Sequence, residues 1–273
     1  MRLGRIPWIN CHPVYGAIDR GLVRVPAELV TGTASELNDL LAAGELQVSV
    51  VSAVEYARNA AAYHLLPDLA ITSDGPVHSV ALFSRRPVNQ LDDCTVLRTA
   101  SSRTSVLLLD LLARHRWQVR PRYATARAEA PDLAALAGLP HEAVLVIGDA
   151  ALLLAAQRLY PVRVDLGAEW KEWTGLPFVF AVWAARRDAG PAAVQEVHAR
   201  LLESRRWGLA HLDELAADAA RSTGVPEDVC RAYLGDLDYA LSYRHLAGLT
   251  DFFRRLAQEG VVPDGSLSFI SAA

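Results

Sequence analysis

The chain has 273 residues, 52% of them hydrophobic, and its 27 basic and 31 acidic side chains leave a formal net charge of −4. That length makes one large domain or two ordinary ones, each able to bury a stable core. No run of about 18 apolar residues offers a membrane span, and the interspersed charge leaves no basic stripe for nucleic acid or anionic lipid. Met1 to Ile9 lacks the apolar core and small-residue cleavage site of a signal peptide, so a cytoplasmic location is expected. Cys11, Cys94 and Cys230 are far apart and form no Cys-x-x-Cys, and the eight histidines show no paired-ligand spacing. Free buried thiols and no metal site follow.

Taken in order, short apolar runs alternate with polar caps and helical patterns, the signature of an α/β protein. Arg2 to Trp8 reads as a strand. After the loop Asn10-Cys11-His12-Pro13, a helical segment covers Tyr15 to Arg20. Leu29 to Thr31 is the next strand, and Thr33 with Glu36 forms a capping box for a helix over Leu37 to Ala43. Gln47 to Val51 is a third strand, ending in a second Ser-x-x-Glu box, Ser52 to Glu55, that opens a helix through Tyr56 to Asn59. Val77 to Ser84 and Thr95 to Arg98 are further strands. A Ser/Thr-rich turn, Thr99 to Ser105, then leads into a helix bearing Leu107, Leu108, Leu111 and Leu112. Ala143 to Ile147 is a strand whose following helix is capped by Gly148-Asp149. Val162 to Leu166 and Phe178 to Ala184 are strands separated by an aromatic loop, Trp170 to Pro177. Beyond Pro191 the pattern is helical to about Gln258, with stops expected at Gly208, Gly224 and Gly248.

No repeat or long linker divides the chain. If the segments near Ser84 and Phe178 are two crossings between lobes, residues 1–84 and 178–273 form one lobe and 85–177 an inserted second lobe. Ligands of such folds bind between the lobes, at strand ends and helix N-termini, where closure excludes water.

Four segments stand between a strand and a helix: Asn10 to Pro13, Ser52 to Glu55, Ser101 to Ser105, and Gly148-Asp149. Helix N-termini carry unpaired N–H groups and partial positive charge, so their convergence suits carboxylates or phosphates. Ser102, Arg103, Thr104 and Ser105 together offer hydroxyls and a guanidinium to a carboxylate. Asp149 could serve as a base, but its position also suits a cap, and Glu55 could either complete its capping box or act in the site. His12 and His78 lie nearest the cleft segments. No Gly-rich phosphate loop, nucleophile elbow or Cys/His constellation is present. These residues define an anion-binding cleft without naming a reaction.

Several stretches in their order resemble the chorismate dehydratase family of the futalosine route to menaquinone, over nearly the full length. They are Ile9-Asn10 with Pro13, Ser52-Ala53-Val54-Glu55-Tyr56, Gly75-Pro76-Val77-His78-Ser79-Val80, Ser102-Arg103-Thr104-Ser105, Ile147-Gly148-Asp149-Ala150-Ala151-Leu152 and Trp173-Thr174-Gly175-Leu176-Pro177-Phe178. The resemblance implies a two-lobed fold of the type II periplasmic-binding-protein kind. It also implies a cofactor-free lyase that eliminates water from chorismate to give 3-enolpyruvylbenzoate. Asn10 and Ser79 would contact the reacting centre as hydrogen-bond donors. Ser52, Thr104 and Ser105 would bind carboxylates, with Glu55, Ser102, Arg103 and Asp149 in the substrate-binding set.

The sister family, a naphthoate synthase of the same pathway, carries a His-Glu pair where this chain has Gly148-Asp149, and a different first loop. Within the dehydratase pattern, Cys11-His12 replaces a frequent Thr-Arg. With no protein base evident, the substrate's own enolpyruvyl carboxylate is expected to take the ring proton. A solute-binding protein that captures a small carboxylate is the non-enzymatic alternative. No partner beyond the small molecule is expected, although a homodimer is compatible with the sequence. Trp170 and Trp173, near a crossing, are expected to report ligand through their fluorescence.

Overall fold

The computed structural model describes residues 1–263 and 265–271. The strands are β1 (Arg2–Arg5), β2 (Glu28–Thr31), β3 (Val48–Ser52), β4 (Tyr63–Ser73), β5 (Val80–Ser84), β6 (Thr95–Thr99), β7 (Arg122–Ala126), β8 (Ala143–Ile147), β9 (Val162–Asp165) and β10 (Phe178–Arg186). The helices are α1 (His12–Asp19), α2 (Ala34–Ala42), α3 (Ala53–Arg58), α4 (Thr104–Leu111), α5 (Leu133–Ala137), α6 (Gly148–Gln157), α7 (Leu166–Thr174), α8 (Pro191–Ala210), α9 (Leu212–Thr223), α10 (Glu227–Asp236) and α11 (Tyr243–Gln258).

Two five-stranded sheets share one plan, β2-β1-β3-β10-β4 and β7-β6-β8-β5-β9. In each, the first three strands pair in parallel, and the fourth runs against its neighbours. That fourth strand is the one a crossing delivers from the other half of the chain. The strands are apolar on both faces because helices cover both. Along β5 and β8 the alternation is direct: Leu82, Leu145 and Ile147 enter the large core that spans both lobes, whereas Ala81, Phe83, Val144 and Val146 face a second cluster on the other side.

The first crossing is displaced from where the sequence pattern puts it. Val80–Ser84, read above as part of the first lobe, hydrogen-bonds to β8 and β9 in the second sheet. The chain therefore passes between lobes over residues 74–79, and it returns through α7 and residues 175–177. One carboxylate ties the two passages together. Asp165 caps α7 by accepting from the amides of Gly167 and Ala168, and it also accepts from those of Val77 and His78. His78 is held at φ 61, a region that a non-glycine residue occupies only when its surroundings enforce it.

Three further features depart from the sequence reading. Tyr63–Ser73, the longest strand, has no counterpart in it. Trp170 lies within α7 rather than in a loop. Gly208 and Gly248 sit inside α8 and α11 instead of ending them: a Cβ on Gly208 would run into the Pro13 carbonyl, and one on Gly248 into that of Pro177. They are places of close backbone approach. Gly224, at φ 78, does end its helix.

Candidate active site

Between the sheets lies a cleft with about 530 Å³ of empty space, part of it at the open mouth. The first lobe contributes Trp8 and Asn10 from the loop after β1, Ser52 at the end of β3, and Phe180. The second contributes Ser79, Ser102 and Ser105, together with Gly148 at the start of α6. Among the described residues, no lysine or arginine lines this space. Among the described residues, no group of three or more His, Cys, Asp or Glu is placed to hold a metal ion.

What the walls offer instead is hydroxyl hydrogens. Ser52 Oγ accepts from the Glu55 amide at 3.2 Å and from Asn38 Nδ2 at 3.3 Å. Ser102 Oγ accepts from the Ser105 amide at 3.1 Å and donates to Ser105 Oγ at 3.0 Å. Ser79 Oγ accepts from the Tyr233 hydroxyl at 2.7 Å. A serine whose lone pairs meet protein donors keeps its own hydrogen for another acceptor. Ser52, Ser79 and Ser105 can therefore each donate into the cleft.

Behind the first-lobe wall the lobes are clasped. Glu55 is buried, and its carboxylate meets Arg103 of the other lobe and Asn59 Nδ2 at 2.7 Å. Arg103 also reaches Asp39 at 2.5 Å. Thr104 Oγ1 accepts from the Val54 amide at 3.0 Å, again across the lobes. In the sequence reading Arg103 held a substrate carboxylate and Glu55 could close its capping box. The structure gives Arg103 to two protein carboxylates. The Ser52 hydroxyl does cap α3, but the Glu55 side chain does not fold back; the full box forms at Thr33 and Glu36.

The other end is less completely matched. Asn10 Oδ1 is buried with no hydrogen-bond partner. Asp149, in the first turn of α6, does not cap that helix; its Oδ1 accepts from the Ile9 amide of the opposite lobe at 3.1 Å. Burial pushes its carboxyl up to about 7, the nearby negative charge of Glu129 adds to this, and the Ile9 amide works against it. Gly148 holds φ +64, and a Cβ there would come within 3.2 Å of the Trp8 ring. A histidine at that position would need both a strained backbone and a displaced Trp8.

Asn10, Ser52, Ser79, Ser102 and Ser105 thus converge on the cleft, while Glu55, Arg103, Thr104 and Asp149 stand behind its walls and join the lobes. His12 points away, its ring against the Leu215 backbone, and burial lowers its pKa. His78 faces outward to Asp236 at 2.8 Å. Trp170 is in the core beside Phe178 and Phe252, and Trp173 stacks on His115, neither of them in the cleft. The sequence reading missed Trp8, Asn38 and Tyr233. Trp8 adjoined a chosen loop, but Asn38 and Tyr233 lie on helices whose facing surfaces only the tertiary fold defines.

The model of a family described as menaquinone biosynthesis matches residues 1–258. A Thermus thermophilus chorismate dehydratase is 36% identical over 239 residues, covering 81% of this chain and 84% of that protein. A 1,4-dihydroxy-6-naphtoate synthase of the same organism is 29% identical over 219 residues, 78% of this chain and 76% of the relative. Among solved structures, an Archaeoglobus fulgidus protein superposes with a TM-score of 0.80 at 20% identity, covering 96% of this chain and 98% of its own. The periplasmic aliphatic sulphonate binding protein of Escherichia coli gives 0.66 at 14% identity, covering 100% and 94%. The fold is periplasmic-binding-protein-like, and the chain belongs to the menaquinone biosynthesis family.

Proposed function

We propose that this protein is a chorismate dehydratase, a hydro-lyase converting chorismate to 3-enolpyruvylbenzoate. The observation that carries the reading is the cation-free, donor-lined cleft: three serine hydroxyls with engaged lone pairs face a space enclosed by both lobes. Such a surface holds carboxylates by directed hydrogen bonds, and without a side-chain cation it leaves the leaving oxygen to neutral donors.

In the reaction, the ring carbon bearing the enolpyruvyl ether loses its proton, and the adjacent carbon loses hydroxide. The C–H electron pair becomes the last ring π bond, and proton and hydroxide leave together as water. Aromatisation supplies the driving force, so the protein's tasks are positioning and charge stabilisation. Ser52 and Ser105 hold carboxylates, Ser102 orients Ser105 by donating to its Oγ, and the N-terminus of α4 adds its partial positive charge. Ser79 donates to the departing hydroxyl, while the unpartnered Asn10 Oδ1 accepts that hydroxyl's hydrogen while it is still bound. Glu55, Arg103, Thr104 and Asp149 act through the geometry of closure. The enolpyruvyl ether sits on the carbon that is deprotonated; its carboxylate takes the ring proton and passes it to the departing hydroxide, because Asp149 turns its Oδ1 to the Ile9 amide and does not line the cleft.

The naphthoate synthase reading is disfavoured by Gly148, where a histidine base would need both a strained backbone and a displaced Trp8. Incubation of the purified protein with chorismate tests the proposal. An aromatic product lighter by one water supports it; binding without turnover shows a carboxylate binder, and no interaction removes chorismate as the ligand. Asp149→Asn should keep kcat within about 10-fold, whereas a loss of about 10³-fold in a folded variant would make Asp149 the base.

A further inference from the structure

The C-terminal helices carry no residue in the set read from the sequence, yet one of them reaches the reacting end of the cleft. Tyr233 on α10 is 1% exposed, and its hydroxyl lies 2.7 Å from Ser79 Oγ. The helix that presents it is fixed in two places, to the first crossing and to the end of β4 just before it. Asp236 Oδ2 meets His78 Nε2 at 2.8 Å, and just past the helix Asp238 exchanges backbone hydrogen bonds with Thr72 at 2.9 and 3.0 Å. His78 is turned outward by Asp236 and by the Asp165 carboxylate on its amide, and the next residue, Ser79, is consequently turned inward.

We propose that Tyr233 is a positioning residue for the dehydration: by donating to Ser79 Oγ, its hydroxyl directs the Ser79 proton at the leaving hydroxyl of the substrate. The proposal rests on the chorismate dehydratase reading. A phenol is a far better donor than an aliphatic alcohol, so of the two orientations open to this pair the bond runs from tyrosine to serine. The Ser79 hydrogen is then excluded from that line and has the cleft as its direction. The Asn10 side-chain amide also interacts with the Tyr233 hydroxyl. An amide N–H donating there would polarise the phenol and strengthen its donation to Ser79. The same orientation leaves Asn10 Oδ1 as the unpartnered acceptor that the structure shows. One buried phenol thus links the two residues proposed to touch the reacting carbon–oxygen bond, and it acts on the reaction through Ser79.

The test is steady-state turnover of chorismate by the full-length chain carrying Tyr233→Phe, which keeps the buried ring and removes the hydroxyl. Freed from its donor, Ser79 can rotate away, so kcat should fall about 10- to 100-fold with KM changed less than about 3-fold. In a Ser79→Ala background, Tyr233→Phe should cost less than about a further 3-fold, because the serine through which it acts is gone. Wild-type kcat in Tyr233→Phe, or a full additional loss on Ser79→Ala, overturns the proposal. Loss of the folded circular dichroism spectrum in Tyr233→Phe also overturns it, since the hydroxyl would then be structural. A wild-type protein inert towards chorismate instead fails the dehydratase reading itself, and the two failures are distinct.

Discussion

At the Glu55 end of the cleft nearly every polar group is matched donor to acceptor, whereas at the Asn10 end an acceptor is orphaned and a carboxyl is held near neutrality. Both ends join the same two lobes. Fully matched groups contribute to holding the lobes together, because a buried polar network is favourable only when complete. Unmatched groups cost stability, of the order of 1–3 kcal/mol for each buried one, and they persist where a ligand will complete them. The contrast separates residues that close the cleft from residues that use it, a distinction that proximity to the cleft alone does not make.

The sharpest test of that separation is substitution at the unmatched end. Ser79→Ala and Asn10→Ala should each lower kcat by about 10²- to 10³-fold, the range for losing one preorganised hydrogen bond to a developing charge. Their melting temperatures should stay within a few degrees of wild type, and Asn10→Ala should rise if anything, since it removes an orphaned acceptor. A large fall in melting temperature with near-normal kcat would move these residues to the closing group.

Arg103→Ala should do the reverse. It strands the buried Glu55 carboxylate, and because the Arg103 side chain is 28% exposed the cost should be about 2 kcal/mol, below the range for a fully buried pair. Adding Glu55→Gln should restore part of that loss, because no charge is then left behind. Denaturant unfolding measures both. If Arg103→Ala is as stable as wild type yet raises the KM for chorismate steeply, Arg103 belongs to the substrate after all.

Asp149 gives a smaller effect confined to a pH window. Its folded carboxyl titrates near 7, above the ordinary aspartate value of about 3.9, so the folded protein binds the proton more tightly. Between about pH 4 and 7 the unfolded chain has already released the proton that the folded chain retains, and stability falls as pH rises; above about 7 the loss is complete and constant. Asp149→Asn keeps an acceptor for the Ile9 amide but cannot ionise. A displacement of one pH unit is worth about 1.4 kcal/mol, so the variant should gain on wild type by at least about 1 kcal/mol between about pH 5 and pH 7. A constant difference across that range would show that burial does not raise this carboxyl.

Much of the scaffold is legible in the sequence because strand alternation and helix capping are local. β3, β6, β8 and β10 all fall within two residues of their apolar runs, β1 begins where expected but ends at Arg5 rather than Trp8, and the Thr33–Glu36 box closes as its spacing demands. Sheet membership is not local. Val80–Ser84 has the same pattern whichever lobe it joins, and only its pairing with β8 and β9 places the crossing at 74–79. The strand Tyr63–Ser73 escapes because Pro67 and Asp68 interrupt its alternation, and Asp68 takes φ 55, a bulge-like break bridged by β10 with shifted register. For the site, motif loops locate the cleft but not the direction of side chains within them. Arg103 and Ser102 are neighbours, yet one clasps the lobes and the other lines the cleft.

Fluorescence offers the mildest test of where the cleft ends and the supporting core begins. Trp170 and Trp173, the expected reporters, sit around the return passage: Trp170 is 0% exposed and donates to the Pro177 carbonyl at 3.2 Å, and Trp173 lies between His115 and Arg255. Their surroundings are protein on every face named, so a ligand in the cleft reaches them only if closure moves the whole passage. Trp8 is different, since its ring packs on Gly148 across the cleft and lines the ligand space itself. Saturating chorismate or product should therefore change the emission, and Trp8→Phe should remove most of that change while Trp173→Phe leaves it. The opposite result would mean that the clasped lobes swing about residues 175–177 on binding, and that the matched end of the cleft is the mobile one.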